Sequence, residues 1–210
     1  ATDNSFLEHP IVLNSVLLSP GERAEIIVDF QDDLHDSLYL METRQAKAFL
    51  KINVNTKAKN ITKVPSVLTK LDKGLVQEAT HRRKFVLSGR MEQLYINNQT
   101  MNMYKMNEIV PLNQVEILEI HNQKMMMMGM EHNFHIHGTH FMVVERNGSI
   151  HNVLENEKGY KDTLYLAPGD SVKLVVKMTD YTDNKVPYMY HCHFLEHEDR
   201  GMMGQFLVTK

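Results

Sequence analysis

The sequence predicts an all-β protein built from sandwich-like domains, and three observations support this fold class. The 210 residues divide into short apolar stretches between turn signals, with little sustained helical periodicity. The turns carry Pro-Gly, Asn-Asn and Asn-Gly pairs, which are typical of strand connections. Residues 19–28 also resemble residues 167–176, since each is a Pro-Gly-acid turn that leads into an apolar stretch. Because such turns are common in β proteins, the spacing of two β-rich halves around one linker is the stronger argument.

The first β-rich half occupies residues 1–55. Apolar and β-branched residues between turn signals predict four strands there, at residues 11–18, 24–30, 38–43 and 50–54. A complete sandwich usually needs about 100 residues, so we expect this half to be the C-terminal part of a domain. Residues 56–80 are rich in lysine and low in pattern, and we interpret them as a linker.

The second half, residues 81–210, is long enough for one complete sandwich domain. The same criteria predict six strands, at residues 84–87, 115–121, 141–145, 163–166, 171–178 and 188–191. We therefore expect one complete C-terminal domain and part of a preceding one.

Composition excludes some classes of function and favours metal binding. A formal net charge of −3 argues against a nucleic-acid partner. No apolar run approaches the roughly 20 residues that a membrane-spanning helix needs. The chain starts at Ala1 without a signal peptide, so we expect it to begin partway through a longer gene product. Twelve histidines and fifteen methionines supply nitrogen and soft sulfur donors.

Two short histidine motifs contain the candidate metal ligands. Cys192 is the only cysteine, so it forms no intrachain disulfide, and it lies between His191 and His193. Successive side chains of a strand point to opposite faces, so the two histidines share one face and Cys192 takes the other. His135 and His137 have the same spacing. We expect these four imidazoles to converge on a shared polynuclear metal site.

The opposite face predicts a mononuclear site. His132 is offset from the other histidines of its motif and can face Cys192. His197 and Met202 follow Cys192 in the chain at intervals that would let them bind the same metal. Two histidines, one thiolate and a weak thioether are the ligands of a blue-copper centre. Structural zinc favours several cysteines. A catalytic cysteine with one histidine would leave the other clustered histidines unexplained.

The paired motifs resemble the C-terminal copper motifs of multicopper oxidases, which include laccases, bilirubin oxidases, spore-coat laccases and copper-efflux oxidases. They read His132-x-x-His135-x-His137-Gly138 and His191-Cys192-His193-x-x-x-His197-x-x-x-x-Met202. Gly159-Tyr160-Lys161-Asp162-Thr163 resembles the Gly-Trp-Lys-Asp-Thr of bacterial members, and residues 18–30 resemble the end of the family's second domain. The resemblance covers nearly the whole chain and implies cupredoxin-like Greek-key β-sandwich domains.

The resemblance implies a role for each ligand. His132, Cys192, His197 and Met202 would hold the type 1 copper, His135 the type 2 copper, and His137, His191 and His193 the type 3 pair. Electrons would enter at His197 and pass through a few covalent bonds from Cys192 to its neighbours. Glu198 matches an acid that relays protons to oxygen, and the alternative is an exposed acid at a strand end.

The resemblance also implies that half of the multinuclear site is missing. The family's trinuclear cluster uses eight histidines, and this chain supplies four. The other histidines form no His-x-His pair; they are His9, His35, His81, His121, His140 and His151. We expect four coppers per complete enzyme, with the site completed by an N-terminal fragment or a separate chain that carries two His-x-His motifs. A trimer of two-domain chains is less favoured, because such a chain would carry those motifs itself.

Residues 125–130 are methionine apart from Gly129 and lie just before His132. In copper-efflux oxidases a methionine at the position of Met130 helps to bind substrate Cu(I), whereas Met128 stands in place of an acid of that site. The alternatives are an apolar packing loop or an adaptable rim for phenols. Asn133 replaces the family's usual proline.

The resemblance implies an oxidase that removes single electrons from phenols, aromatic amines or metal ions and reduces O2 to water. Axial Met202 indicates a low-to-middling potential, which favours easily oxidised donors. One alternative is a type 1 copper carrier without oxidase activity. Others are a cuprous oxidase for copper tolerance and a nitrite-reductase-like protein with type 1 and type 2 copper only. The family favours an extracytoplasmic or cell-surface location.

Overall fold

The protein is almost entirely β, as the sequence predicts. The computed structural model describes residues 1–56, 63–90, 93–124 and 129–210. Contacts divide the chain into two compact units, residues 25–64 and a larger unit of residues 1–24 with 65–210. This grouping differs from the predicted division at residues 55 and 80, and those domain boundaries stay a prediction.

The smaller unit contains an antiparallel hairpin of β1 (Ser37–Glu42) and β2 (Lys47–Asn53). These strands confirm the predictions for residues 38–43 and 50–54, with ends shifted by one to three residues. Apolar side chains of the hairpin remain exposed within this chain, for example Phe49 with 64% of its surface accessible.

Two predicted strands were wrong. Residues 11–18 and 24–30 have the apolar pattern of strands, yet all of these residues are described and none is in a strand. Val12 is 98% exposed and Ile27 is 79% exposed, so these apolar side chains pack into no hydrophobic core of the described residues. A strand needs a neighbouring backbone for its hydrogen bonds, and these segments pair with no strand in the described parts of the chain.

The larger unit is a sandwich of two five-stranded sheets. Its strands are β3 (His81–Arg90), β4 (Gln93–Ile96), β5 (Glu108–Pro111), β6 (Val115–Asn122), β7 (His132–Ile136), β8 (Phe141–Arg146), β9 (Thr163–Leu166), β10 (Ser171–Lys177), β11 (Tyr188–His191) and β12 (Met203–Thr209). The sheet orders are β4-β3-β6-β10-β8 and β5-β12-β11-β7-β9. Among the strands of the described residues, β3–β6 and β5–β12 pair in parallel and the other pairs are antiparallel. These crossovers are those of a cupredoxin-like fold.

One apolar core lies between the sheets. Phe85, Leu118 and Leu174 of the first sheet belong to the same buried cluster as Phe134 and Phe206 of the second. Cys192 and Met202 are part of this cluster and are fully buried. The core therefore surrounds the predicted mononuclear site with apolar side chains.

Short helices complete the larger unit. Three are 3₁₀ helices, at Lys73–Glu78, Ile150–Asn152 and Glu155–Glu157. The first lies in the predicted linker, where Leu71 and Leu75 pack on a second buried cluster outside the first sheet. The fourth is the single α-helical turn α1 (Leu195–Glu198), which carries His197 and Glu198 between β11 and β12. Among the described residues, no helix is long and apolar enough to cross a membrane.

Candidate metal centre

The two histidine motifs lie side by side because β7 and β11 are antiparallel neighbours. His191 pairs with His135, and Tyr190 pairs with Ile136. The alternation of side chains then puts His135 and His191 on one face, while His132 points to the core face. The structure thus separates the eight predicted ligands into the two predicted groups.

The mononuclear group consists of His132, Cys192, His197 and Met202. The Cys192 Sγ lies 3.4 Å from the His197 Nδ1 and 3.9 Å from the His132 Nδ1, and the two Nδ1 atoms lie 3.2 Å apart. These three donor atoms are close enough to bind one metal ion. No other group of this size in the described residues combines a thiol with imidazoles.

Backbone hydrogen bonds bring Met202 to the same place. The Cys192 N–H donates to the Met202 carbonyl at 3.1 Å, and the Met202 N–H donates to the His197 carbonyl at 3.1 Å. The turn α1 thereby folds the chain back so that His197 and Met202 approach Cys192. Cys192, Met202 and His132 are each at most 1% exposed, and His197 is the half-buried member of the group.

Burial sets the protonation of this group. It lowers the pKa of His132 to about 3, with a further contribution from the nearby His197. It also raises the pKa of the Cys192 thiol to about 11. At neutral pH the imidazole is thus neutral and ready to donate its lone pair, whereas a metal must displace the thiol proton.

The multinuclear group consists of His135, His137, His191 and His193. The donor atoms of the first three lie within 4.8 Å of one another, and the Nε2 atoms of His137 and His191 are 3.1 Å apart. The ring of His193 lies 5.2 Å from that of His135 and 5.1 Å from that of His191, centroid to centroid. Four imidazoles therefore share one location on the face of the sheet opposite Cys192.

Glu198 lies next to this group. Its Oε2 is 3.4 Å from the His191 Nδ1 and 3.9 Å from the His193 Nδ1, and its side chain is 32% exposed. The carboxylate is therefore adjacent to both imidazoles and open to solvent, and it lies in α1 rather than at a strand end.

Two of these rings are oriented by oxygen atoms at their Nδ1. The His191 Nδ1 lies 3.1 Å from the Cys192 carbonyl. The His135 Nδ1 lies 3.0 Å from the Asp162 carbonyl and 2.9 Å from the Thr163 Oγ1. Each Nδ1–H donates a hydrogen bond to the carbonyl, which leaves the lone pair of Nε2 free to bind a metal.

Asp162 is itself held in place. Arg23 donates to both of its carboxylate oxygens, at 2.6 and 2.7 Å. Burial alone would raise the pKa of Asp162, but hydrogen bonds from His135, Arg23 and Thr163 outweigh it and hold the pKa well below its usual range. Asp162 thus stays ionised beside His135.

Sequence reasoning assigned no role to Arg23 or Asp162. The match of residues 159–163 to a family motif was a signal for Asp162, since this stretch includes it. For Arg23 there was none, because 139 residues separate it from its partner.

The structure gives Met130 a packing position. Met130 is half-buried against the main core, and its carbonyl accepts a hydrogen bond from the Asn122 Nδ2 at 2.9 Å. Met128, the other predicted Cu(I) residue, lies outside the described residues.

The donor atoms fit copper better than its rivals. A single thiolate with two imidazoles and a thioether is a blue-copper donor set, whereas structural zinc sites usually hold more cysteines. Burial also keeps the His132 imidazole neutral, which is the form that binds a metal. Fold and donor geometry together define a cupredoxin-like domain with candidate metal sites.

Comparison with known proteins identifies the family. The multicopper oxidase family model matches residues 67–210. A multicopper oxidase of Staphylococcus haemolyticus is 34% identical over the whole chain, and a laccase of Haloferax volcanii is 30% identical over 93% of it. A crystal structure of laccase from Pediococcus acidilactici superposes on the whole chain with a TM-score of 0.89 and 32% identity. The chain therefore belongs to the multicopper oxidase family, for which copper is the expected cofactor.

The chain spans less than half of these relatives. It covers 42% of the Staphylococcus haemolyticus protein, 35% of the Haloferax volcanii laccase and 44% of the Pediococcus acidilactici chain.

Proposed function

We propose that this chain forms the mononuclear copper site and half of the multinuclear copper site of a laccase-like multicopper oxidase. One observation carries the proposal: His191, Cys192 and His193 are consecutive, and they contribute to two groups of donor atoms on opposite faces of one strand end. Copper, when bound, supplies one-electron oxidation of a donor at the first group and reduction of O2 at the second.

The chain provides a short covalent path between the two groups. Cys192 is bonded through the backbone to His191 and His193, so an electron needs to cross few covalent bonds. His197 is the half-buried member of the mononuclear group, and we propose that donors approach at its edge. The apolar core around Cys192 keeps water away from the thiolate.

Glu198 is suited to supply protons for the reduction of O2. Its carboxylate contacts the two histidines that flank Cys192 and remains partly open to solvent. A carboxylate in this position can take protons from water and release them beside the multinuclear group.

A second set of histidines must complete the multinuclear group. We propose that it comes from an N-terminal portion or partner chain with two His-x-His motifs, since the described histidines supply four of the eight that the family uses. Relatives are called laccases, which supports phenols or aromatic amines as donors and O2 as acceptor. The alternative is Cu(I) oxidation at a site that includes Met130 and Met128. Because Met130 packs against the core, this alternative is less favoured than oxidation of phenols or aromatic amines.

Copper content and oxygen uptake of the purified holoprotein test the proposal. We expect four coppers per complete enzyme, a blue absorption, a coupled copper pair and O2 uptake with a phenolic donor. One copper without O2 uptake would instead establish an electron carrier. Type 1 and type 2 copper without a coupled pair would point to a nitrite-reductase-like protein. A denaturing mass measurement of the same sample would identify the polypeptide that carries the other His-x-His motifs.

A further inference from the structure

We propose that Asn133 is a positioning residue for the multinuclear site, because it ties the backbone of His193 to a turn of the N-terminal segment. The turn consists of residues 19–22. The inference rests on the proposed function, since His193 is assigned as a copper ligand there. The inference adds that the turn of residues 19–22 helps to position that ligand.

Asn133 is fully buried and uses its whole amide group. Its Oδ1 accepts a hydrogen bond from the His193 N–H at 2.5 Å, while its Nδ2 donates to the Ser19 Oγ at 2.9 Å and to the Pro20 carbonyl at 2.8 Å. It lies two residues before His135, so it occupies the histidine face of β7. One side chain thus joins a predicted ligand to the turn.

The turn is anchored in its own right. The Ser19 N–H and hydroxyl both donate to the Glu22 Oε2 at 2.7 Å. The other oxygen of Glu22 lies 3.3 Å from the Lys161 Nζ, and both of these side chains are 4% exposed. Lys161 also contacts the buried carboxylate of Asp3 at 3.2 Å. A buried ion-pair network therefore holds the turn against the sandwich.

Gly21 brings the turn into direct contact with the imidazole of His193. A Cβ at Gly21 would lie 2.6 Å from the His193 Cδ2, closer than two carbons can approach. Gly21 also has a φ of +85°, which favours glycine. The backbone of the turn therefore packs on one side of the ring, while Asn133 holds the amide of the same residue.

His193 needs this support more than its neighbours. Its side chain is 40% exposed, whereas that of His191 is 4% exposed. The Nδ1 atoms of His135 and His191 are oriented by carbonyls, and His193 has the more distant Glu198 instead. Instead of a carbonyl at Nδ1, His193 has Asn133 at its backbone N–H and Gly21 against one face of its ring.

The test compares Asn133→Leu, Asn133→Asp and Gly21→Ala in the copper-loaded holoprotein. Leucine has a similar size and forms no hydrogen bonds. Aspartate keeps the acceptor for the His193 N–H but removes both donors to the turn, since a carboxylate cannot donate to the Ser19 Oγ or the Pro20 carbonyl. Three quantities are measured for each variant: amide hydrogen exchange at His193, the near-ultraviolet absorption of the coupled copper pair, and the blue absorption of the mononuclear site.

We expect Asn133→Leu to accelerate exchange at His193 about tenfold, as for the loss of one buried hydrogen bond, and to weaken the copper-pair absorption while the blue absorption stays. Asn133→Asp should leave exchange at His193 slower than in Asn133→Leu, because the acceptor for the His193 N–H is kept. Gly21→Ala should also weaken the copper-pair absorption, because the added methyl group would displace the His193 ring. Asn122→Ala is the matched control, because Asn122 is also fully buried and its side chain donates to the backbone carbonyls of Met130 and Leu166.

Unchanged exchange at His193 in Asn133→Leu would overturn the inference, as would faster exchange with an unaltered copper-pair absorption. Equal loss of that absorption in the Asn122→Ala control would reduce Asn133 to a general packing role and overturn it too. If the unaltered protein lacked the copper-pair absorption, the proposed function would fail first, and this inference with it.

Discussion

The two groups of donor atoms share one strand end but are built in opposite ways. The mononuclear group lies in the apolar core, where His132, Cys192 and Met202 are almost fully buried. Backbone hydrogen bonds join Met202 to Cys192 and to His197. The multinuclear group lies on the outer face, where His193 remains 40% exposed. The four predicted ligands of the first group all lie in the sandwich, whereas the second group is also contacted by the turn of residues 19–22. A site enclosed by one core can be complete within a domain, and a site on a face is open to further ligands.

The strongest test of this difference is Cys192→Ser. We expect it to abolish the blue absorption and oxidase activity, because a serine hydroxyl is not a soft, covalent ligand for copper. Copper at the multinuclear group should remain, since its imidazoles lie on the other face. Electron paramagnetic resonance with metal analysis measures both. Retention of the blue colour would refute the mononuclear assignment.

The reciprocal variant is His137→Ala. Removal of one of the imidazoles whose Nε2 atoms lie 3.1 Å apart should abolish the coupled copper pair and O2 reduction. The blue absorption should persist, because His137 contacts no member of the Cys192 group. Loss of both signals together would show that the two groups are not independent.

A smaller effect is expected for Asp162→Asn. The Asp162 Oδ1 lies 3.5 Å from the His135 Nδ1 and accepts a hydrogen bond from the Thr163 hydroxyl, which contacts the same nitrogen. Loss of such a supporting contact typically costs about 10- to 100-fold in metal affinity. We expect that loss for the multinuclear copper alone, measured by competition with a chelator. Asp183→Asn is the control, because Asp183 is exposed and bonds only to nearby backbone amides. Equal effects of the two variants would exclude a specific role of Asp162.

The smallest effect concerns pH and the Arg23–Asp162 pair. The pKa of Asp162 is lower in the folded protein than in the unfolded chain, so its contribution to stability is fully present above the ordinary aspartate pKa of about 4. The contribution is lost progressively as the pH falls from there toward the lower pKa of the folded protein. Arg23→Ala should therefore lower the thermal midpoint of the copper-free protein at pH 7, and the difference should shrink toward pH 3. A difference that is constant with pH would mean that the pair is not responsible.

The sequence predicted the separation of the two groups because the period of a strand is a local property. Histidines two residues apart share a face wherever the strand lies, and Cys192 between them must take the other face. The same local reasoning located the strands β6 and β10, in which apolar residues recur between turn signals.

Local reasoning missed what depends on distant partners. The edge strand β5 is short, and β12 contains Gly204 and Gln205, which interrupt its apolar pattern. Gly204 is in fact required there, since a Cβ would lie 2.4 Å from the Tyr190 hydroxyl oxygen. The opposite error occurred at residues 11–18, whose apolar residues suggested a strand that finds no partner in the described chain. The contacts of Asn133 with Ser19 span 114 residues, so no pattern within a window could reveal them.

The grouping of residues 1–24 with 65–210 has a consequence for limited proteolysis. A single cut within residues 25–64 would divide the polypeptide into two pieces, yet it would leave the first 24 residues fastened to the sandwich by Asp3, Glu22 and Arg23. The support of His193 and His135 does not require an unbroken chain. A nicked protein should therefore migrate as two bands on a denaturing gel while it retains the environment of its histidines.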